Sequence, residues 1–256
     1  MGKTNKVIYG KYYEAIYKDK HEWRDYSLTN AGYREWYYDC LPGDKKSRIL
    51  DLGCGDGKFL LFLQQNGYTC IEGLELSLQQ AEEAKKHVEC PIHVVDDACA
   101  FLEEHANIYQ VITMNDVLEH IPKGETLNLL RAVLIALKLG GTLVVNVPQA
   151  SGFTSLYHRY DDFSHETLFA EMSLKQVLFS AGFRKIRFIR QKWPLKWMPL
   201  HLAYRLVRRL WYGILKLIYI IESPTVIHPS SFQVRLVASA IRPHAQNNES
   251  LRKSRV

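Results

Sequence analysis

A glycine-rich loop between a short apolar run and a helical run is the feature that most constrains the fold. The loop is Asp51-Leu52-Gly53-Cys54-Gly55-Asp56-Gly57, and the helical run that follows is KFLLFLQQ. Glycines at this spacing let the backbone turn tightly and let a ligand approach the main chain and the next helix. A dinucleotide-binding loop needs G-x-G-x-x-G, whereas here Lys58 stands where the third glycine of a dehydrogenase would fall. The spacing therefore disfavours NAD as the ligand.

Three carboxylates follow predicted strands near this loop. Asp51 would repel a pyrophosphate but can pair with an ammonium group, which favours a cationic amino-acid nucleoside. Glu75 ends the second strand, from which an acidic residue reaches ribose hydroxyls in nucleotide-binding α/β folds. Asp97 follows the third strand, where a carboxylate can accept a hydrogen bond from an exocyclic amine such as that of adenine. Each alone is also typical of a solvated loop, but together they indicate a nucleoside site.

Short β-branched runs alternate with helical runs from Arg48 to Val147. This alternation predicts βαβ units with right-handed crossovers, and therefore an α/β fold with a mostly parallel sheet. A long loop is predicted over 148–163. The predicted strands are 48–52, 69–75, 92–95, 109–114, 142–147, 183–192 and 231–241. The predicted helices are 77–88 with Ser77 as N-cap, 124–138 ending at Gly140-Gly141, 164–170, and 173–181 with Ser173 as cap and Gly182 as stop.

The charge of the chain is unevenly distributed. Composition is globular, with 47% hydrophobic and 23% charged residues in 256, which excludes disordered, collagen-like and disulfide-scaffold classes. Eleven of the 33 basic residues and none of the 27 acidic ones lie between Met172 and Ile221, which leaves −5 for the rest of a chain whose total is +6. The chain is thus an acidic body with one basic segment.

Residues 200–221 of this segment form a basic amphipathic helix on a helical wheel. Such a helix suits the interface of an anionic membrane, although packing of its apolar face on the sheet and a dimer interface are alternatives. Its apolar run is too short to span a bilayer, which needs about 18–20 residues. The basic arc holds His201, Arg205, Arg208, Arg209, Tyr212 and Lys216, and the opposite face holds Leu200, Val207, Leu210, Trp211, Ile214, Ile218 and Ile221.

The cysteines and the amino-terminal residues indicate a cytoplasmic protein. No CxxC spacing occurs among Cys40, Cys54, Cys70, Cys90 and Cys99, so we expect reduced thiols in or near the core. Residues 1–20 are rich in Tyr and Lys and lack the apolar stretch of an export signal.

Ordered motifs over about residues 45–190 resemble the class I S-adenosylmethionine-dependent methyltransferase family. They are DLGCGDG, LELS with Glu75, Asp97-Ala98 after VVD, NDVLEHIPKGE and LKLGGTLVVNVP. The resemblance implies S-adenosyl-L-methionine as cofactor and a Rossmann-like seven-stranded sheet with an antiparallel last strand. It also implies a cofactor site in which Gly53, Gly55 and Gly57 line the methionine part, with Asp51 beneath it. In that site Glu75 binds the ribose, and Leu76 is a further cofactor-binding residue. Asp97 and Ala98 bind the adenine, and Asn115, Asp116 and Val117 close over the sulfonium.

The loop HRYDDFSHETLFAEMSLKQVLFSAGF is similar to the pattern of bacterial methyltransferases linked to surface-glycan assembly, such as lipopolysaccharide and O-antigen. Ser164 and Leu168 depart from that pattern, which expects Thr and a Phe-like residue. The resemblance implies a sugar hydroxyl of a glycan precursor, carried on a polyprenyl lipid at the cytoplasmic leaflet, as methyl acceptor. Methylation of a lipid, quinone or other small molecule is the alternative, and a nucleic-acid-associated protein is the alternative from another class, although no nucleic-acid partner is expected.

An alcohol acceptor needs a general base, usually His or a carboxylate. Among His120, His158, His165, Asp161 and Asp162, we favour His165 as base or acceptor-binding residue, with Asp162 three residues before it. His120 in VLEHIP is a second candidate, or a packing residue. Asp161, Asp162 and His165 also suit a divalent cation, but with no further matching ligands visible we expect no metal.

Four parts of the chain are predicted. Residues 1–47 form a helical lid or cap, whose Tyr9, Tyr12, Tyr13, Trp23 and Tyr26 either cover the active site or pack on the sheet edge. The methyltransferase domain takes 48–193 and 231–242, and the basic amphipathic insertion takes 194–230. Residues 243–256 form a flexible tail.

Overall fold

The computed structural model describes residues 26–190, 201–225 and 229–244, in which one seven-stranded sheet is flanked by helices. The predicted lid aromatics other than Tyr26, the start of the insertion and the predicted tail beyond residue 244 lie outside the described residues. The strands are β1 Ile49–Leu52, β2 Ile71–Glu75, β3 Ile92–Val94, β4 Tyr109–Asn115, β5 Leu137–Pro148, β6 Arg184–Ile189 and β7 Arg235–Ile241. The helices are α1 Tyr26–Tyr37, α2 Lys58–Gln65, α3 Leu78–Lys85, α4 Ala98–Glu104, α5 Lys123–Ala136, α6 Ser155–Tyr160, α7 Glu171–Ala181 and α8 His201–Glu222.

The strand order is β3-β2-β1-β4-β5-β7-β6. Strands β1 to β5 run parallel, and β7 pairs antiparallel with both β5 and β6. The predicted α/β fold, with seven strands and an antiparallel last strand, is confirmed. The order along the sheet reverses between β1 and β4, and such a switch point opens a crevice outside the carboxyl ends of the strands.

The core lies in two layers, one on each side of the sheet. Helices α4, α5 and α7 cover one side with buried residues such as Leu102, Leu130 and Leu178. Helices α1, α2 and α3 cover the other, and the aromatic rings of Phe59 and Phe62 on α2 lie in this layer. All four residues of β1 are buried, as expected for a parallel strand covered on both faces. The rigid sheet therefore fixes the positions of residues at its strand ends.

Two predicted helices differ from the structure. The predicted helix 164–170 is wrong, because irregular backbone follows α6, which itself lies inside the predicted loop 148–163. Asp162 accepts a hydrogen bond from the Ser164 N–H (2.8 Å), and the Glu119 carbonyl accepts from the N–H groups of residues 166 and 167 (2.8 and 3.1 Å). These long-range and side-chain acceptors take the donors that a helix would use.

The end of α5 also differs. The predicted stop at Gly140-Gly141 is wrong, because α5 ends at Ala136 and β5 begins at Leu137. The carbonyls of Ile135 and Ala136 accept from the N–H groups of Asn107 and Ile108, which lead into β4. Other predicted caps hold: Ser77 accepts from the Gln80 N–H at the start of α3, and Gly182 ends α7 at φ +114°. Ser173 as the cap of this helix is wrong: α7 begins at Glu171 with Ala170 as N-cap, and Ser173 lies in its first turn, where its Oγ accepts from the Ala170 N–H (3.0 Å).

The five cysteines are free thiols, as predicted. Cys54 is buried and three others are half-buried, but Cys70 is exposed just before β2, so its predicted place in or near the core is wrong.

Helix α8 confirms the predicted helix 200–221 but rests on the body by a narrow stripe. Leu215 is buried, and Tyr212 and Tyr219 contact the ring of Phe232 at centroid distances of 6.2 and 5.3 Å. The alternative in which the apolar face of this helix packs on the sheet is therefore wrong, because most of that face is exposed. Among the described residues, no helix is long and apolar enough to cross a membrane. The exposed apolar and aromatic residues of α8 are Tyr204, Leu206, Val207, Leu210, Trp211, Ile214, Leu217, Ile218, Ile220 and Ile221.

Candidate active site

A cavity of about 1050 Å³ opens at the carboxyl ends of β1, β2 and β4, at the switch point of the sheet. It is large enough for a nucleoside cofactor together with part of an acceptor. The sequence-predicted residues that line it are Asp51, Gly53, Gly55, Glu75, Leu76, Asp97, Ala98, Asn115, Asp116, Val117, His120, His158, Asp161, Asp162 and His165. Among the predicted cofactor residues, Gly57 does not line the cavity.

The glycine loop brings the backbone close to the cavity. Gly53 has φ +73°, and a Cβ there would lie 2.4 Å from Cγ2 of Val117. Gly55 has φ +54°, and its N–H donates to Oε2 of Glu75 at 2.9 Å. Gly57 precedes α2 with φ +83°, and a Cβ there would lie 3.0 Å from Cβ of Ala84. Gly53 and Gly55 thus shape the cavity, whereas Gly57 permits α2 to approach α3.

Asp51 places a buried carboxylate beneath the loop. Its Oδ1 accepts hydrogen bonds from Oγ1 of Thr113 (2.6 Å) and Nδ2 of Asn115 (3.2 Å). Burial raises the pKa of Asp51 to about 7. The hydrogen bonds from Thr113 and Asn115 lower this pKa, but their effect is smaller than that of burial. A bound cation would offset this cost of ionisation, so the site favours a positively charged ligand.

Helix α1 closes one side of the same network. The Tyr37 hydroxyl donates to Oδ1 of Asn115, and the Tyr33 side chain lines the cavity. Tyr33 also packs edge-on against Phe59 at a centroid distance of 5.0 Å. Tyr26, one of the predicted lid aromatics, instead bonds Gln65 on α2 (3.1 Å).

Glu75 holds its own loop together. One carboxylate oxygen accepts from the N–H groups of Leu76 (2.9 Å) and Ser77 (2.8 Å), and the other from Gly55. Burial raises its pKa, and these three hydrogen bonds oppose that shift. Asp97, by contrast, is exposed at the cavity edge and caps α4 by accepting from Cys99 (2.9 Å) and Ala100 (3.1 Å).

Arg235 at the start of β7 is a cavity residue that the sequence did not suggest. Its guanidinium binds both carboxylate oxygens of Asp116, with Nη2 at 2.7 Å from Oδ2. Asp116 has φ +56°, a left-handed conformation that is uncommon outside glycine. The bidentate pair ties the end of β4 to β7 across β5.

Two histidines lie side by side in the cavity wall, with ring centroids of His120 and His165 4.7 Å apart. His120 Nδ1 lies 2.9 Å from Oγ of Ser164, which donates to Oδ1 of Asp162 at 2.6 Å. Burial, and then the neighbouring His165, lower the pKa of His120 to about 4, so this imidazole is neutral at pH 7. Asp162 therefore orients His120 through Ser164.

His165 makes different contacts. Its Nδ1 lies 2.6 Å from the carbonyl oxygen of His158, and the carboxylate of Asp161 faces His158 at 3.6 Å. The carboxylates of Asp161 and Asp162 thus lie toward His158 and Ser164. Among the described residues, Asp161, Asp162 and His165 do not form a cluster of metal-ligating side chains.

Comparison with known proteins agrees with this fold. A glycine-lined nucleoside cavity at the switch point of such a sheet is the arrangement of a class I methyltransferase fold. A family model described as a methyltransferase domain matches residues 22–187. The chain belongs to this methyltransferase domain family, and the predicted enzyme class is confirmed.

Solved structures share the fold at low sequence identity. A SAM-dependent methyltransferase from Archaeoglobus fulgidus matches with a TM-score of 0.63 and 18% identity, over 92% of this chain and 98% of that one. Phosphoethanolamine N-methyltransferase 2 from Haemonchus contortus, in complex with S-adenosyl-L-methionine, matches with a TM-score of 0.56 and 19% identity, over 94% of this chain and 57% of that one. Both show the fold.

A curated relative matches over a shorter stretch. The ubiquinone biosynthesis O-methyltransferase of Escherichia coli O7:K1 (strain IAI39 / ExPEC) is 29% identical over 112 residues. The match covers 41% of this chain and 44% of the relative, so the chain spans less than half the length of the curated relatives it matches. The finer resemblance to surface-glycan methyltransferases stays a prediction.

Proposed function

We propose that this protein transfers a methyl group to a hydroxyl oxygen of an acceptor carried on a membrane lipid. The cofactor is S-adenosyl-L-methionine, which when bound supplies an electrophilic methyl group on a sulfonium. The observation that carries the proposal is the single cavity wall that joins Asp51 and the glycine loop to His120 and His165. Such a wall holds a cationic nucleoside and an oxygen acceptor side by side.

The cavity residues fit this cofactor. Asp51 and Glu75 line the inner wall, where their carboxylates suit the ammonium group and the ribose of the cofactor. Gly53 leaves the backbone uncovered at a point where a side chain would collide with Val117. Asp97 and Ala98 are proposed to bind the adenine, and Asn115, Asp116 and Val117 to close over the sulfonium. Gly57 contributes by packing α2 on α3.

The part of the cavity wall that His120 and His165 form is proposed to receive the acceptor. His165 contacts the acceptor oxygen as its base or as the group that positions it, while His120 is held by Ser164 and Asp162. An acceptor hydroxyl held at about 3–3.5 Å from the reacting methyl group needs alignment and removal of one proton.

An apolar surface leads away from this wall. The loop after β5 carries Phe153, whose ring meets Trp211 of α8 edge to face at 5.2 Å. Helix α6 in the same loop exposes Leu156, Tyr157 and Tyr160, while its His158 lines the cavity. Exposed apolar side chains thus run from the cavity mouth to the apolar face of α8, a path suited to a hydrocarbon tail.

Charge supports a membrane as the partner of α8. The exposed cations Arg205, Arg209 and Lys216 lie on the side of α8 opposite the exposed apolar face. An amphipathic helix with this arrangement binds an anionic interface, and each cation near the surface adds about 1 kcal/mol. We propose that α8 lies in the membrane surface and positions the cavity beside a lipid-borne acceptor.

A glycan precursor on a polyprenyl carrier is the first candidate acceptor, supported by the loop HRYDDFSHE. A quinone precursor is the second, and the O-methyltransferase relatives in ubiquinone biosynthesis favour it. Purified protein with labelled cofactor should methylate one of the two in detergent or vesicles. Label transfer to the glycan fraction supports the first, transfer to a phenolic quinone precursor supports the second, and transfer to neither overturns the lipid-borne acceptor.

A further inference from the structure

One carboxylate and two imidazoles meet beside the cavity. A carboxylate oxygen of Glu119 and one ring nitrogen each of His120 and His165 lie within 4.8 Å of one another. Glu119 and His120 belong to a short 3-10 turn, Leu118–His120, just after β4, and His165 belongs to the loop before α7. Two separate parts of the chain therefore bring ligand-type atoms to one point.

Glu119 is a buried acid without a protein partner. Its side chain is fully buried, and within residues 26–190, 201–225 and 229–244 neither carboxylate oxygen has a hydrogen-bond partner. Nearly all buried polar atoms in proteins are hydrogen-bonded, and a buried carboxylate left alone is costly. A bound cation beside the two histidines would give this carboxylate a partner.

The histidines are held in the way that metal-binding histidines are held. His165 donates from Nδ1 to the His158 carbonyl, which places the lone pair of the neutral ring at Nε2. The Ser164 hydroxyl proton goes to Asp162, so His120 Nδ1 is the donor to Ser164 Oγ and its lone pair is also at Nε2. Ligating histidines usually donate the other ring N–H to a protein oxygen in this manner.

We propose that Glu119, His120 and His165 bind a divalent ion of the Mn²⁺, Fe²⁺ or Zn²⁺ class. Two imidazoles and one carboxylate suit these ions better than Ca²⁺ or Mg²⁺, which prefer oxygen ligands. Three protein ligands leave coordination positions open, and His120 and His165 line the cavity. The role of the ion rests on the proposed function: a bound ion would polarise the acceptor oxygen, and His165, as the group that positions the acceptor, would then act through the ion.

Mn²⁺ binding to the full chain, followed by electron paramagnetic resonance without acceptor, tests the site. We expect one Mn²⁺ per chain, and at least about tenfold weaker binding in Glu119→Gln and His165→Gln. Glu166→Gln is the matched control, because it removes the same charge from an exposed side chain next to His165. It should bind Mn²⁺ like the wild type.

Calorimetry with S-adenosyl-L-methionine on the same samples separates the two proposals and reports folding. Wild type that binds the cofactor but neither Mn²⁺ nor Zn²⁺ stoichiometrically overturns the metal site, as does wild-type Mn²⁺ affinity in His165→Gln. Mn²⁺ binding that depends on Glu119 and His165 supports the metal site even if the cofactor does not bind, which would contradict the proposed function alone. Should Glu119→Gln fail to fold, His165→Gln, on a partly exposed loop, decides the question.

Discussion

The hydroxyl of Tyr37 donates a hydrogen bond to the amide oxygen of Asn115, and the amide nitrogen of Asn115 donates to Asp51 at 3.2 Å. A residue of the helix that precedes the sheet is thus connected, through one amide, to the carboxylate beneath the glycine loop. Tyr37 is fully buried, so water cannot take its place in this contact. Helix α1 therefore contributes to the site and not only to the core.

Tyr37→Phe should destabilise the protein because it leaves the Asn115 oxygen without its donor. Asn115 is half-buried and lines the cavity, so we expect the ordinary net value of a lost hydrogen bond, about 0.5–1.5 kcal/mol, in the free energy of unfolding. Urea unfolding of the cofactor-free protein measures it. Tyr38→Phe removes a hydroxyl from the next residue, which is 74% exposed, and should change stability little. Equal effects of the two substitutions would contradict the role of the contact.

Gly53→Ala should abolish cofactor binding. The added methyl group would lie 2.4 Å from Val117 Cγ2, and φ +73° adds strain of about 1–2 kcal/mol for a residue with a Cβ. Gly67→Ala is the matched control, because Gly67 has φ +85° but a Cβ there would have no neighbouring atom within 4 Å. Calorimetry with S-adenosyl-L-methionine should show binding in Gly67→Ala and none in Gly53→Ala.

Asp51 should make the stability of the cofactor-free protein depend on pH. Burial raises its pKa from 3.8 to about 7, so the folded state holds this proton more tightly than the unfolded state. The stabilisation is complete below about pH 4 and is lost as the pH rises through about 7, by roughly 4 kcal/mol at most. Urea unfolding across this range should show a clearly smaller fall in Asp51→Asn than in the wild type; some fall should remain in Asp51→Asn, because burial also raises the pKa of Glu119 to about 8 and raises that of Glu75.

Cofactor affinity should depend on pH in the opposite direction. A cationic ligand prefers the ionised carboxylate, so wild-type affinity for S-adenosyl-L-methionine should increase from about pH 6 to about pH 8 relative to Asp51→Asn. Taking the ratio of the two proteins removes the titration of the ligand itself. A constant ratio would show that Asp51 does not face the positive charge of the cofactor.

Helix α8 should direct the protein to anionic vesicles. Flotation with phosphatidylglycerol vesicles is expected to carry the wild type, with weaker binding to neutral phosphatidylcholine. Ile214→Glu places a charge within the exposed apolar face and should abolish flotation. Leu78→Glu changes an exposed leucine on α3 and should leave flotation unchanged. Equal binding to both lipids, or to neither, would reject the membrane proposal.

Much of the fold was predictable because local signals and the sheet agree. The glycine loop, the β-branched runs and the Ser77 cap each specify structure within a few residues. The helix predicted over 164–170 failed because its donors bind Glu119 and Asp162, and a contact so distant in sequence leaves no periodic pattern. The same holds for the end of α5, whose carbonyls are used by the residues leading into β4.

The candidate site divides in the same way. Residues on strand ends, such as Asp51, Glu75 and Asn115, were predictable because strand order places them at one edge. Arg235 and Glu119 were not predictable. Arg235 pairs with Asp116, which follows a strand two positions away in the sheet. Glu119 has the sequence surroundings of an ordinary solvent-exposed acid. The spacing of Tyr33 and Tyr37, one helical turn apart, was the available signal for the contribution of α1.

The position of β7 between β5 and β6 has a consequence for biosynthesis. Among the described strands β6 pairs only with β7, and α8 lies in the connection between them. As the chain leaves the ribosome, β6 and α8 therefore appear before the strand that anchors them, and Arg235 completes the cavity wall only with β7. A nascent chain therefore holds β6 without its described strand partner, and the cavity wall without Arg235, until the last of the seven strands has been made.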